Sequence, residues 1–468
     1  MRRIVLASFV FAAALSSADA QTFSLEDLTR RAIERRAVET VNWGITAVNF
    51  DRMLQAAIHD AGAGVNQVVY WSRFLDSNNQ TLTPNPDTIY LQPFFDTRDV
   101  GPIVIEIPPA EGGSITGTIM DAWQAALEDV GPAGVDKGKG GKYLILPPGF
   151  AGTAPSGYIV LPSMTYQGYA LLRSAVKGSS DADVADAVVY GKRIRLYPLS
   201  QAGSQPETKF VDAAGRLFDS RIPYDLRFFQ SLDRFVQAEP WLERDKAMID
   251  PLRSVGIEKG KPFAPNDATK QILEGAAKEA QAWLSARYET AFPPYFPGRQ
   301  WAVPAAPELM EVASTFYEKP NTYTVDARGL TDYWAFSTVK HLGAGQFYLM
   351  GIRDKDGQPL EGAGTYRLTV PADAPVSQYW SAVVYSRETH TLIRGASRLS
   401  RSSLNPELQR NGDGSVDLYF APKAPAGKEA NWVATDPASR FEVLFRLYGP
   451  RKPLFEKTWI LTDVEKVD

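Results

Sequence analysis

The stretch TLTPNPDTIYLQPFFDTRDVGP, Thr81 to Pro102, gathers turn-formers, carboxylates and aromatic rings closely enough to form a site. In Thr83-Pro84-Asn85-Pro86-Asp87 each proline fixes its own φ and pushes the residue before it towards extended backbone, so the segment reads as a rigid turn. With Thr88 to Asp96 as a strand, Ile89, Leu91, Pro93 and Phe95 share one face, and Tyr90, Gln92, Phe94 and Asp96 share the other. The second face mixes rings with polar groups. A sugar-like ligand needs such a surface, with ring faces for its apolar sides and amides or carboxylates for its hydroxyls. The run ITGTIMDAW adds Asp121 and Trp123 to a surface of the same kind. An architectural reading competes: Asn85 and Asp87 bond to backbone within the turn, and the mixed face is where a second domain covers the first.

Asp87 and Asp121 are the candidate catalytic pair. Glycoside hydrolysis typically uses two carboxyl groups, about 5–5.5 Å apart for retention and about 6.5–9.5 Å for inversion, one of them with a raised pKa. Asp87, Asp96 and Asp121 are also oxygen donors of the kind calcium or magnesium takes, and neither ion is excluded. No spaced loop motif joins them, so no metal site is assigned and no cofactor is expected. His59, His341 and His390 lack the paired spacing of a zinc helix, and a chain without cysteine has no thiolate nucleophile and no disulfide. No nucleophile elbow, phosphate loop or dinucleotide fingerprint occurs, and GKGGK near Lys142 reads as a turn. SAVK at Ser174 and STVK at Ser337 stand without the other elements of penicillin-interacting enzymes.

Nearer the C-terminus, Tyr379, Trp380, Tyr385, Arg394, Asn431, Trp432, Arg446 and Tyr448 form a second set. Aromatic rings beside arginines can stack on and charge-pair with an acidic or sugar ligand. Equally, alternation in FRLYGP puts Arg446 and Tyr448 on one strand face, as a structural cross-strand ladder would.

The elements that must position these residues follow from periodicity. Residues 21–66 read as helical, with Ser24 and Asp27 resembling a capping box. Residues 67–222 form short β-rich runs punctuated by Gly, Pro, Asn and Asp, interrupted by a helical stretch from about Asp181. Helical spacing returns in a connecting region, 223–318, and β-rich runs resume over 319–468, with hairpin signals at Asp356-Gly357 and Asn411-Gly412-Asp413-Gly414. The fold class expected is mainly β with helical segments: two jelly-roll-like antiparallel β-sandwich domains joined by a helical region. Two domains also suit a length of 468 residues with 44% hydrophobic residues.

The first residues, MRRIVLASFVFAAALSSADAQT, have a basic start, a short apolar run and small residues before a cut after Ala20. This is the layout of a cleaved signal peptide over 1–20, and it places the mature chain in the periplasm or outside the cell. No later window is apolar enough for a transmembrane helix. A net charge of −4 without a basic stripe argues against nucleic acid as partner.

In order along the chain, TPNPDTIY, DTRDVGPIVIEIP, MDAW, KYLILPPG and YPLS resemble the successive motifs of the bacterial family called domain of unknown function 1254. YWSAVVYS from Tyr379, NGDGSVDLYFAP from Asn411, NWV from Asn431, FRLYGP from Phe445 and TWILTDV resemble its frequent companion, domain of unknown function 1214. The resemblance implies two jelly-roll-like domains with a helical connection, and no established reaction. Two functional classes follow. One is an envelope protein that binds a small-molecule or glycan-like ligand, or assembles as a homo-oligomer. The other is a carbohydrate-active hydrolase or lyase using carboxylates of the N-terminal domain. A raised carboxylate pKa in a deep cleft favours the second, and a flat aromatic face or apolar patch the first.

Overall fold

The computed structural model describes residues 23–305, 309, 321–335, 340–341 and 345–467. The expected signal peptide and Ser337 lie outside the described residues. Helix Leu25–His59 opens the described chain, and the Ser24 hydroxyl accepts from the Asp27 amide at its N-cap. From Thr40 to Asp51 every residue is buried, the pattern of a helix enclosed on all sides. Helices Leu226–Ala238, Asp267–Tyr288 and Val325–Trp334 pack around it. Gly44 permits a close approach: a Cβ there would stand 2.9 Å from Leu232 Cδ2.

Two β units flank these helices. In the N-terminal unit a six-stranded sheet runs in the order Phe210–Asp212, Gln67–Tyr70, Ile89–Asp96, Gln167–Ser174, Ile115–Asp121, Ala126–Val130. A four-stranded sheet, Arg195–Pro198, Ile103–Ile107, Gly141–Leu146, Ile159–Pro162, packs on it. Leu91, Phe95 and Leu172 from the first meet Ile105, Tyr143 and Ile145 from the second. The C-terminal unit has sheets Gln346–Gly351, Phe441–Tyr448, Trp380–Ser386, Ser400–Ser402 and Trp432–Ala434, Val416–Ala421, Tyr366–Val370, Glu465–Lys466. Its interior holds Leu368, Phe420, Val443 and Phe445. Mainly β with helical segments describes the chain.

The pairings are mostly antiparallel. Gln67–Tyr70 with Phe210–Asp212, Gly141–Leu146 with Ile159–Pro162, and Val416–Ala421 with Trp432–Ala434 are parallel. Neither turn signal joins two of the long strands, although Arg353 and Pro359 form a short antiparallel bridge across the first. The Asp354–Gly357 turn forms, with Gly357 N donating to Asp354 O at 2.9 Å, but Gln346–Gly351 pairs with Phe441–Tyr448 instead. Asn411–Gly414 likewise turns, while Val416–Ala421 pairs with Tyr366–Val370. Turn residues set the local backbone; burial of each face selects the partner strand.

The outward faces of the two β units are buried as well. Tyr90, Phe94, Tyr169 and Leu171 of the six-stranded sheet join the helices and Tyr385, Val383 and Leu444 of the C-terminal sheet in a shared core. Strand Ile89–Asp96 is therefore buried on both faces, and the mixed face carrying Gln92 and Phe94 meets protein. In Phe441–Tyr448 the odd-numbered residues fill the C-terminal interior, whereas Glu442, Leu444, Arg446 and Tyr448 point towards the shared core.

Candidate functional site

The Thr83–Asp87 turn is seated on the face of the C-terminal sheet. The Thr83 amide donates to His390 O at 2.7 Å, and Thr83 O accepts from Arg446 Nη2 at 2.7 Å. Pro84 O accepts from Tyr385 Oη at 2.6 Å. Asn85 Nδ2 donates to Tyr448 Oη at 2.7 Å and to Tyr379 Oη at 3.2 Å, while the Asn85 amide donates to Tyr90 Oη at 3.0 Å. Ser400 Oγ donates to Asp87 Oδ1 at 2.7 Å. The two prolines give this segment its fixed shape, and Thr83, at φ 37°, is in the left-handed region that bulky residues avoid. Thr83 belongs to both the seam and a cavity beside it.

That cavity has a volume of about 370 Å³ and lies between the two β units. Cross-strand register builds its two polar rows. Arg173 pairs with Tyr90 on one neighbouring strand and Thr116 on the other, and all three line the cavity. On the facing sheet Arg446 pairs with Tyr348 and Ser381, and Tyr448 follows two residues on. Most of the remaining wall is apolar, including Leu171, Val303, Leu309, Trp334, Phe347 and Leu444.

The charge in this cavity is unbalanced. Arg446 is 2% exposed and Arg173 is half-buried. Among the described residues neither forms an ion pair with a carboxylate, and the Nε of each has no hydrogen-bond partner. Arg446 donates from Nη1 to Tyr385 Oη at 2.6 Å and lies 4.9 Å from the Tyr348 ring; Arg173 lies 5.2 Å from the Tyr90 ring. Neutral acceptors and ring faces satisfy guanidinium hydrogens without cancelling the charge. Burial holds the Tyr379, Tyr385 and Tyr448 hydroxyls well above the usual tyrosine pKa, so they stay protonated. Asp129, also on the wall, has both oxygens engaged: Oδ1 accepts from Thr118 Oγ1 at 2.7 Å and the Lys340 amide at 3.1 Å, and Oδ2 from the His341 amide at 2.7 Å.

Asp87 and Asp121 are not brought together. Asp121 stands opposite Gly168, which stands opposite Phe95; Asp87 precedes the other end of the same strand. From Ile89 to Phe95 the strand alone spans roughly 20 Å, far beyond either glycosidase spacing. Burial raises each carboxyl pKa to about 6. For Asp87 the Ser400 hydrogen bond and Arg446 pull it back in part; for Asp121 the Ala125 amide and Arg244 do so. Asp87 as a residue is only half-buried, but its Oδ2 is closed off and without a partner. Neither carboxyl lines the cavity.

Of the other sequence candidates, Tyr90, Arg446 and Tyr448 line the cavity and Asn85 is one bond behind it. Phe94 stacks on Tyr169 at 5.7 Å, and Gln92 is buried with Oε1 unpartnered. Asp96 closes its strand, Oδ2 accepting from Gln167 Nε2 at 3.0 Å. Trp123 packs edge-on against Trp43 at 5.1 Å, and Trp380 stacks on Phe445 in the C-terminal interior. Arg394 is exposed and donates to Asn78 Oδ1 at 2.9 Å, and Trp432 Nε1 donates to Ala421 O at 2.8 Å. Among the described residues no three His, Asp or Glu side chains gather as metal ligands. Arg173 and Tyr348 were not singled out by sequence; the available signal was a lone arginine inside the apolar strand YALLRSAV.

Residues 65–198 match the family described as Protein of unknown function (DUF1254), and residues 345–452 match Protein of unknown function (DUF1214). No curated protein matches the chain. The VPA0106 protein from Vibrio parahaemolyticus has a similar fold, with a TM-score of 0.56 and 17% identity over 92% of this chain and 100% of that one. An uncharacterized protein from Burkholderia cenocepacia aligns over 94% of each chain at 11% identity and a TM-score of 0.39. Tyr90 and Arg173 fall in the first matched segment and Tyr348, Arg446 and Tyr448 in the second: the chain resembles DUF1254 over residues 65–198 and DUF1214 over residues 345–452, and the polar rows of the cavity lie in those two segments.

Proposed function

We propose that this chain is an exported binding protein that holds a small organic anion between its two β units. One observation carries the reading: Arg173 and Arg446 face one cavity of about 370 Å³, within the roughly 300–1,000 Å³ of small-molecule sites, without a carboxylate partner among the described residues. Desolvating an ion costs several kcal/mol, whereas a cation–π contact returns about 0.5–2 kcal/mol. An anion entering the cavity supplies the missing counter-charge, and low local polarity strengthens each hydrogen bond it accepts.

Binding is favoured over glycoside hydrolysis because the described residues of the cavity include no pair of carboxyl groups. Its one described carboxylate, Asp129, is held by a hydroxyl and two backbone amides, and burial holds the Tyr448 hydroxyl well above the usual tyrosine pKa. An acidic sugar belongs to the proposed ligand class; a neutral glycan leaves both guanidinium groups unpaired. The export half of the proposal rests on residues 1–20.

Two measurements test these halves. N-terminal sequencing of the protein from a periplasmic extract gives Gln21 as first residue if the leader is cleaved there; an intact Met1 in the cytoplasmic fraction refutes export. Thermal shift against matched organic anions and neutral analogues raises the Tm only with the anions. Equal shifts from both sets refute the anion site.

A further inference from the structure

We infer that the ligand is an amphipathic monoanion: one oxyanion head at the two arginines and an apolar body along the cavity wall. This rests on the anion-binding reading above and narrows it.

The positive charge is concentrated at one place. Asn85 bonds both to Tyr90 Oη, cross-strand neighbour of Arg173, and to Tyr448 Oη, two residues from Arg446 on its strand, so the two arginine rows meet at one end of the cavity. A planar carboxylate or a sulfonate, with two or three oxygens on one atom, can accept from both, and tyrosine hydroxyls add neutral donors.

Away from that head site much of the wall is apolar, formed by Leu309, Trp334, Phe347 and Leu444, with His341, Gln346 and Gln378 among its polar side chains. At the far edge stands Asp129, opposite Thr118, which is opposite Leu171, two residues before Arg173 in the same strand. Two strand spacings and a two-residue step separate Asp129 from Arg173 by roughly 10–12 Å. A dianion long enough to fill the cavity would set its second carboxylate against apolar side chains or near Asp129, both unfavourable, and His341 on that edge already has Glu128 Oε1 3.4 Å from its Nε2. A single head with a hydrocarbon or aryl body meets arginine at one end and buries its apolar surface at the other.

Titration calorimetry on the purified mature chain, with hexanoate, hexanesulfonate, acetate, adipate, hexanol and inorganic phosphate as probes, tests this. Hexanoate or hexanesulfonate should bind at least about tenfold more tightly than acetate, through buried methylenes, and than hexanol, through the lost charge-assisted bonds. Adipate and phosphate should fall behind by a similar factor. Arg173→Gln should weaken the best probe by at least about tenfold, with partial recovery in Arg173→Lys. If adipate or phosphate binds as tightly as hexanoate, the monoanion class is wrong while the anion site stands. If hexanol matches hexanoate, or no anion binds at about 10 mM, the anion site itself is wrong. Should Arg173→Gln fail to fold, the comparison of hexanoate with hexanol on the parent chain decides alone.

Discussion

Asn85 Nδ2 donates to Tyr448 Oη at 2.7 Å, joining a turn of the first β unit to a strand of the second across 363 residues of sequence. Both groups are buried, and Tyr448 also stacks on Tyr379 with ring centres 4.4 Å apart. Removing one partner strands the other, so Asn85→Ala is expected to cost about 1–3 kcal/mol in urea denaturation. The double variant with Tyr448→Phe should cost less than the sum of the two single changes. Strict additivity would mean that this bond does not couple the units.

Arg446 donates in two directions, to Tyr385 Oη and to Thr83 O, from one planar group. Lysine has one nitrogen and cannot span that fork. Arg446→Lys should therefore lose at least one charged hydrogen bond, about 1.5–3 kcal/mol, and lower the thermal midpoint. An unchanged midpoint would show that the fork adds nothing to the seam.

Several buried carboxyls make stability depend on pH. Burial raises Asp332 to about 7, against the Thr46 hydroxyl and Arg328, and raises Glu239 to about 7, against the amides of Tyr166 and Gln167. Asp87 and Asp121 stand at about 6. A carboxyl whose folded pKa exceeds its unfolded value binds its proton more tightly in the native state. Its stabilising contribution is full below about pH 4 and is lost as pH rises through 6 to 7. Asp332→Asn should flatten the fall in unfolding free energy between pH 4 and 7, by at most about 4 kcal/mol. If the variant keeps the parent's slope, Asp332 is ionised throughout.

Gly117 is a further sensitive point. Its φ is +155°, and a Cβ there would lie 2.0 Å from Leu171 O, a backbone atom of the neighbouring strand. Gly117→Ala must separate two central strands beside Arg173 and is expected to cost more than about 3 kcal/mol. Soluble expression with a parental midpoint would show that the sheet accommodates it.

What could be read from sequence was local. The Ser24 cap, the rigid TPNPD turn and the Ile89–Asp96 strand follow from capping, proline geometry and period-two alternation. Ring-bearing and polar residues on one strand face could signal either a ligand or a covering domain. For Phe94 and Gln92 the covering protein prevails; for Tyr90 both apply, since it meets Asn85 and the cavity together. Arg173 escaped notice because a strand arginine gains meaning only from what faces it. Asp87 and Asp121 looked pairable because sequence holds no distance; the length of the strand between their positions keeps them apart.

The enclosed helix at the start of the described chain imposes an order on how this protein is made. Asn42 Nδ2 donates to Asp326 Oδ1 at 2.7 Å, a contact spanning 284 residues. At synthesis rates of about 5–20 residues per second, Asn42 waits roughly 15–60 s for that partner to emerge. Throughout that interval the side chains of Trp43, Ile45 and Phe50 lack their final surroundings. Packing of this helix is therefore completed late in synthesis, and a chain stopped short of Val325 leaves uncovered the side of its first helix that meets Val325–Trp334.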